Sequence, residues 1–348
     1  MIVSDSKNNY DALIFKLLSP TSNDKISQMS GLDLQLLILL LDEYYIELRD
    51  SIGVDQSNTF GFELEVENAR IDEIYNKILI TDLNYEWTLC DDCTLDRGIE
   101  LISSILRDNK ESWNDLNKVC SVLREFSIIG ENSGGHIHIG TQILGNNKDA
   151  WLNFIRMWSI YENIIFRFCY GEFLTARLSI IDYASPIANK LWRDYNRFKN
   201  SSRDLEFIIS EISHRRYLAI NFENVDGYIF SKKNTIEFRC PNGSLSPAIW
   251  QNNVNFFAKL LTYSSNPLFD DDTLEKRYRI NKDKFYGLKW YDEIYLEQAL
   301  ELCDMIFDNN LDKIYFLRQY LKSFEVCKNP SKYPKAKPFV REKVMNIR

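Results

Sequence analysis

Three short segments of the chain alternate polar and apolar side chains with a period of two, which constrains the fold more than any other feature. In the first, residues 60–67, apolar side chains alternate with Glu63, Glu65 and Glu67. This period predicts a β-strand with one apolar and one carboxylate face. The carboxylates could simply cover an exposed sheet surface. In an enclosed site they would repel one another unless a cation such as Mg²⁺ lay among them.

The second segment places two of the chain's three histidines on one face of a predicted strand. His136 and His138 alternate with isoleucines, and Gly134, Gly135 and Gly140 flank them. A lone histidine is often structural, whereas a pair on one strand face favours a metal or phosphate site. Glycines also permit close approach of the backbone to a ligand.

The third segment puts Glu237 and Arg239 on one face, with apolar residues opposite. The two could form a surface ion pair, or the planar guanidinium could bind a phosphate and stabilise developing negative charge. Three weaker candidates lie on other predicted strands. Glu100 could add a carboxylate, and Tyr217 and Asn221 could bind a ligand or merely line the sheet.

Bulk properties narrow the class of protein. The chain has 348 residues, of which 45% are hydrophobic and 26% charged, as in ordinary globular proteins. A net charge of −8 argues against nucleic-acid binding.

We find no secretory signal, and the longest apolar run, 36–41, is far shorter than the roughly 20 residues of a membrane span. We therefore expect a cytoplasmic protein with its seven cysteines reduced. Cys90 and Cys93 could be a redox pair or incidental thiols.

The order of patterns along the chain predicts an α+β fold with a mainly antiparallel sheet, because long helical insertions separate the strands without βαβ spacing. The remaining strands are predicted at 85–90, 98–103, 135–141, 216–222 and 235–240. The helices are predicted at 112–126, 148–170, 190–210, 248–264, 291–307 and 312–324.

We divide the chain into an N-terminal helical extension at 1–58, a catalytic domain at 59–327 and a basic tail at 328–348. Within the domain, 59–265 carries the motifs and 266–327 is helical. The tail has seven basic residues and one acid, so it is either a solvated tail or a docking arm for an acidic partner.

Taken together, these motifs resemble the amidoligase family, relatives of glutamine synthetase and glutamate–cysteine ligase. The resemblance spans about 59–265 in the family's order. Its motifs are GFELEVE at 61–67, a loose D-x-x-x-D-x-GIELIS at 92–103, SGGHIHIG at 133–140, RYLAIN at 216–221 and TIEFRCPNGSL at 235–245. The resemblance implies a curved antiparallel sheet with helices on its convex face, as in the catalytic domain of glutamine synthetase, plus N- and C-terminal helical additions.

By this resemblance, Glu63, His136 and Glu237 would hold a metal that bridges the nucleotide phosphates. Glu65 and Glu100 would hold a second metal nearer the carboxylate substrate. The metals would be Mg²⁺ or Mn²⁺. Glu100 lies in the loosest motif, where Asp92 matches an acidic family position.

The same resemblance implies that His138 and Arg239 bind ATP. Tyr217 and Asn221 are further candidates for nucleotide binding. Arg239, which would contact the transferred phosphoryl group, and Glu65 are the expected catalytic residues. The chain would transfer the γ-phosphoryl group of ATP to a small-molecule or peptide carboxylate, and an amine would attack the acyl phosphate to form an amide. The chain has no P-loop, which suits this chemistry.

Two other functions fit parts of the pattern. His136 and His138 with nearby carboxylates could hold zinc in a metal-dependent hydrolase. The chain could also be a catalytically inactive ligase fold that acts as a binding protein. The sequence does not identify the substrates or the oligomeric state.

Overall fold

A computed structural model describes residues 25–43, 45–173, 177, 179–201, 205–212, 216–225, 233–282, 291 and 293–321. The predicted basic tail, residues 1–24 and 44 of the predicted N-terminal extension, and Cys327 lie outside these residues. The described cysteines are free thiols. Among the described helices, none is long and apolar enough to cross a membrane.

A six-stranded sheet forms the centre of the described structure, in the order β2-β3-β1-β4-β6-β5. Every neighbouring pair of strands is antiparallel, as predicted. The strands are β1 (Phe60–Val66), β2 (Trp87–Asp91), β3 (Ile99–Ser103), β4 (Gly135–Gly140), β5 (Ile220–Asn221) and β6 (Thr235–Phe238). The motif-bearing strands β1, β4 and β6 are therefore brought together at the middle of the sheet.

Helices make up most of the remaining described chain. Those before β5 are α1 (Gly31–Glu43), α2 (Ile71–Ile80), α3 (Lys110–Phe126), α4 (Lys148–Cys169), α5 (Ile180–Tyr183), α6 (Ala188–Lys199) and α7 (Leu205–Ile212). Those after β6 are α8 (Pro247–Ser264), α9 (Asp271–Asn281), α10 (Leu296–Ile306) and α11 (Asn310–Leu321).

The apolar face of the sheet packs against helices through aromatic rings. Phe60 stacks on Trp113 of α3 with ring centroids 4.9 Å apart, and Phe238 stacks on Phe257 of α8 at 4.0 Å. Phe238 also stacks on Trp158 of α4 at 5.8 Å. Burial of each such ring contributes about 1.5–3 kcal/mol. This packing fixes the apolar face and leaves the polar stripes on the opposite side.

The structure thus confirms a mixed fold of helices and an antiparallel sheet. The comparison with the curved sheet of glutamine synthetase stays a prediction.

The described N-terminal residues pack against the later helices. The backbone N–H groups of Ile26 and Ser27 donate to the Asp304 carboxylate at 3.0 and 2.8 Å. Arg49 pairs with Asp312 at 2.8 Å. These bonds join the start of the described chain to its last two helices, α10 and α11. The predicted boundaries of the domain stay a prediction.

Several predicted elements differ in extent from the observed ones. The predicted helix 190–210 comprises α6 and α7, since α6 ends at Lys199 before the turn-forming residues Asn200 and Ser201. The predicted strand 216–222 is shorter: only Ile220–Asn221 joins the ladder, while Leu218 forms a parallel bridge to Ser185.

Candidate active site

The three polar stripes meet on one face of the sheet. Because β1 lies between β3 and β4, and β6 follows β4, residues from all four strands face one another across the ladders. The opposed pairs are Glu63 with His136, Glu65 with Glu100, and His138 with Glu237. Most of these side chains are buried, with Glu65, His136, His138 and Glu237 each at most 8% exposed. The face is therefore an enclosed site and not a solvated sheet surface.

Glu63 is the centre of this site. Its Oε2 lies 2.5 Å from Nδ1 of His136, and its Oε1 lies 2.8 Å from Nε2 of His138. Burial raises the pKa of Glu63, but the hydrogen bonds with both imidazoles outweigh burial and hold the pKa well below its usual range. Glu63 is thus an ionised carboxylate shared by the two histidines.

Glu237 lies among hydrogen-bond donors. Its Oε2 accepts from Nδ2 of Asn221 at 2.8 Å, and its Oε1 accepts from Nη1 of Arg239. Burial raises the pKa of Glu237, but the nearby His136, Arg239 and His138 outweigh it and lower the pKa. The two-residue spacing at the end of β6 therefore brings a carboxylate and a guanidinium to the site side by side.

Glu100 has the opposite environment. Burial, and then the negative charges of Glu63 and Glu65, raise its pKa to about 8. Asp92 adds to this repulsion from a turn, where its Oδ1 accepts from the backbone N–H of Thr94 at 2.8 Å. Negative charge is therefore in excess on the β3 side of the site.

The glycine-rich loop before β4 is held by Glu65 of β1 and by Glu67, which directly follows β1. Glu65 accepts from the backbone N–H of Gly134 at 2.6 Å, and Glu67 accepts from that of Asn132 at 3.2 Å. A Cβ on Gly130 would lie 1.3 Å from Oε2 of Glu67, so a side chain at this position would displace the Glu67 carboxylate. Glu65 also lies 3.4 Å from Nε2 of His136. Glu67 thus anchors the loop, and Glu65 contacts both the loop and the site.

Two groups of side chains among the described residues place one ligand atom each within 4.8 Å of the others. They are Glu63 with His138 and Glu237, and Glu63 with Glu100 and His136. The resemblance assigned His136 to the first group and Glu65 to the second. In the structure His136 is 3.4 Å from Glu237 as well, so the ligands are close enough to be shared.

The donor set fits a divalent cation. Carboxylate oxygens suit Mg²⁺ and Mn²⁺, and imidazole extends the range to softer divalent ions. Burial first, and then the negative charges of Glu63 and Glu65, raise the pKa of Glu100, so an ionised carboxylate at this position is costly without a cation. A bound cation would lower the cost of that charge.

Of the other predicted ligand-binding residues, Asn221 is buried beside Glu237, whereas Tyr217 is at the edge of the site. The Tyr217 side chain is 47% exposed, and its ring lies under the guanidinium of Arg239 at 6.0 Å. Sequence reasoning missed two groups that contact Arg239: Arg177 and the backbone carbonyl of Tyr183. No periodic pattern surrounds Arg177, and a carbonyl contact has no side-chain signal.

The fold and the site together define an α+β protein with a buried cluster of carboxylates and imidazoles, a donor set that fits a divalent cation, on the polar face of its sheet. A family model described as "Putative amidoligase enzyme" matches residues 81–261, more than half of the chain. The chain therefore belongs to this amidoligase family, as the motifs predicted. Membership indicates a ligase, an enzyme that forms carbon–nitrogen bonds. The matched segment includes β2 to β6 and begins after β1. A comparison with curated proteins gave no match.

Proposed function

We propose that the protein is an ATP-dependent carboxylate–amine ligase that works through an acyl phosphate. The observation that carries this proposal is the pair of ligand groups that share Glu63, with Arg239 hydrogen-bonded to Glu237 beside them. Family membership supports carbon–nitrogen bond formation.

Each group in the site has a role in this proposal. Glu63, Glu100, His136, His138 and Glu237 would hold Mg²⁺ or Mn²⁺, with Glu65 next to them. The cations would neutralise the charge of the nucleotide phosphates. Arg239 donates through Nε and Nη1 to protein acceptors, and its Nη2 makes no hydrogen bond to a described residue. Nη2 is thus the donor left for an oxygen of the transferred phosphoryl group.

The reaction balances without a nucleophilic side chain. An oxygen of the substrate carboxylate attacks the γ-phosphorus of ATP, the bond to the β-phosphate oxygen breaks, and ADP leaves. The amine nitrogen then attacks the carbonyl carbon of the acyl phosphate. The carbon–oxygen bond to phosphate breaks, inorganic phosphate leaves, and the nitrogen loses a proton. The protein's own contribution is to orient the reactants and to exclude water.

The direct test incubates the protein with ATP, Mg²⁺ and pools of small-molecule and peptide carboxylates and amines. ADP release is measured, and mass spectrometry identifies the products. We expect sustained ADP release only when both a carboxylate and an amine are present, because without the amine the reaction stops at the acyl phosphate. We expect loss of ADP in Glu65→Gln and Arg239→Ala with the fold intact by circular dichroism. Wild-type rates of ligation in both variants would contradict the proposal.

A zinc hydrolase is the second candidate, because each ligand group contains one histidine and two carboxylates, a set that also suits zinc. Metal analysis of the purified protein separates the two functions. Tightly retained zinc in a protein that binds no ATP would favour the hydrolase, and Mg²⁺-dependent ATP binding would favour the ligase. A protein that binds neither would fit an inactive ligase fold.

A further inference from the structure

Arg177 is a buried arginine that contacts the turn after β6. It lies between α4 and α5 and is 5% exposed. Its Nη2 donates to the carbonyl of Arg239 at 3.2 Å, and its Nη1 donates to the carbonyl of Pro241 at 3.3 Å. Its backbone N–H donates to Oδ1 of Asn242 at 3.1 Å. One residue from a distant segment thus holds the turn at three points.

The same segment also holds the side chain of Arg239. Nε of Arg239 donates to the carbonyl of Tyr183 at 3.1 Å. On the other side, the backbone N–H of Arg239 donates to the carbonyl of Ala219 at 2.9 Å. Arg239 is therefore fixed at its backbone by Arg177 and Ala219, and at its guanidinium by Tyr183 and Glu237. Its Nη2, which has no hydrogen-bond partner in the part of the chain that the structure describes, has a defined direction as a result.

Arg177 also packs against the glycine-rich loop. A Cβ on Gly134 would lie 1.2 Å from Nη1 of Arg177 and 3.0 Å from Oε2 of Glu65. Gly134 in turn forms a β-bridge with Asn242. The guanidinium therefore lies where the loop that binds Glu65 meets the turn that carries Arg239, and it touches both.

The charge of Arg177 is costly to bury. No described carboxylate lies within 4.0 Å of its guanidinium, and its Nε has no hydrogen-bond partner among the described residues. The hydrogen bonds of its guanidinium go to neutral carbonyls, and burial lowers the pKa of Arg177, an effect that the negative charge of nearby Glu65 offsets only in part. Burial of such a cation costs folding free energy. Its planar fork, however, spans two carbonyls at a fixed spacing, which the single ammonium of lysine does not do. Geometry, rather than stability, accounts for an arginine here.

We infer that Arg177 is a positioning residue, which sets the place of Arg239 for contact with the transferred phosphoryl group. This inference rests on the proposed function, in which Arg239 contacts that group. The inference has a specific consequence. Loss of the two hydrogen bonds from the Arg177 guanidinium to the turn should weaken binding of the γ-phosphoryl group of ATP, while the ligand groups around Glu63 stay in place.

The test compares the affinities for Mg²⁺-ATP and Mg²⁺-ADP by calorimetry in the wild type, Arg177→Lys, Arg239→Ala and the double variant. Arg177→Lys should bind ATP about tenfold more weakly, the loss of about one charge-assisted hydrogen bond, with ADP affinity changed less than about twofold. The double variant should bind ATP no more weakly than Arg239→Ala, because the two residues act through one contact. An unchanged preference for ATP in Arg177→Lys, or additive losses, would overturn the inference.

Arg156→Lys is the matched control. Arg156 is 4% exposed and also bridges two acceptors, Asp271 and Glu275, but it lies in the helical layer. We expect no change in its preference for ATP over ADP, and a matching loss there would show a general effect of burying lysine and overturn the inference. If Arg177→Lys does not fold, the neutral and shorter Arg177→Gln takes its place with the same expected outcomes.

A crystal structure of the Arg177 variant keeps the two proposals separate. If the wild type binds no ATP, the proposed function fails, and the position of Arg239 then decides the inference on its own. A displaced Arg239 guanidinium supports positioning by Arg177, and an unmoved one refutes it.

Discussion

The two flanks of β1 place different electrostatic environments on one polar face. On the β4 flank, Glu63 meets two imidazoles at hydrogen-bond distance, and Glu237 beyond them meets Arg239. On the β3 flank, Glu100 faces other carboxylates, and its pKa rises to about 8. The β4 flank is thus largely neutralised by the protein, whereas the β3 flank lacks a counter-charge.

This difference bears on the proposed metal binding. Like charges at close range disfavour ionisation unless a cation is bound, so we expect a metal to matter more to the β3 flank than to the β4 flank. Glu63 belongs to both flanks, because it is part of both ligand groups. The two flanks therefore predict a graded series of effects.

The largest effect is expected for Glu63→Gln. Glu63 contributes to both ligand groups, so its charge is lost from both sites at once. Loss of a partner that only orients a ligand already costs about 10–100-fold in metal affinity, so we expect a loss of about 100-fold or more for a shared ligand. Titration with Mn²⁺, followed by electron paramagnetic resonance, measures this affinity.

Glu67→Gln is the control, because Glu67 directly follows β1 and continues the same row of carboxylates. Glu67 is 3% exposed and binds the loop at Asn132, outside both ligand groups. We expect its Mn²⁺ affinity to stay within about threefold of the wild type, since the coordinating atoms are retained. Equal losses in the two variants would mean that charge on the face, and not shared coordination, governs binding.

A variant that changes a ligand on only one flank of β1 should lose only one of the two metal ions. Glu100→Gln alters only the group with His136, and Glu237→Gln alters only the group with His138. We expect the Mn²⁺ stoichiometry to fall from two to one per chain in each variant, with the remaining site weakened about tenfold at most. A wild-type stoichiometry of one would instead indicate a single metal that the whole cluster shares.

The sequence predicted the strands of this site well because each has one face in the core. Alternation in β1, β4 and β6 follows from burial of residues such as Phe62, Ile137 and Phe238. The helix α2 was not predicted. Its core face has Ile74, but Tyr75, Leu79 and Ile80 are exposed apolar residues that blur the helical period.

Contacts between distant segments could not be predicted from local patterns. Arg177 is 62 residues from Arg239 in sequence, and its role depends on backbone carbonyls that every residue type offers. The assignment of metal ligands to the two groups could not be predicted for the same reason. Whether His136 or His138 lies in one group with Glu237 depends on side-chain directions across two ladders. Period-two spacing fixes only the face that these residues share.

A smaller effect concerns how the thermal stability of the metal-free protein depends on pH. Folded Glu100 keeps its proton up to a pH of about 8, whereas its ordinary pKa is 4.5. Between these values the folded state binds more protons than the unfolded state, so stability falls as the pH rises. We expect the Tm in a chelator to drop by a few degrees between pH 5.5 and 8.5.

Two comparisons test whether Glu100 causes this dependence of Tm on pH. Glu100→Gln should show a flatter dependence of Tm on pH, and saturating Mg²⁺ should flatten it in the wild type by favouring the ionised carboxylate. Identical slopes in the wild type and Glu100→Gln without metal would show that other groups cause the dependence.

The smallest effect is expected at Tyr217, beyond the β4 flank. Its ring is half-exposed and lies under Arg239, at a distance where a cation–π contact contributes about 0.5–1 kcal/mol. Tyr217→Phe keeps the ring, so ATP affinity should not change. Tyr217→Ala should weaken ATP binding about two- to fivefold, since that energy corresponds to such a factor. Calorimetry measures both affinities. A loss above about 30-fold would mean that Tyr217 contacts the nucleotide directly. The ligand-binding face would then extend from the two ligand groups around Glu63 past β6 to the edge of the sheet.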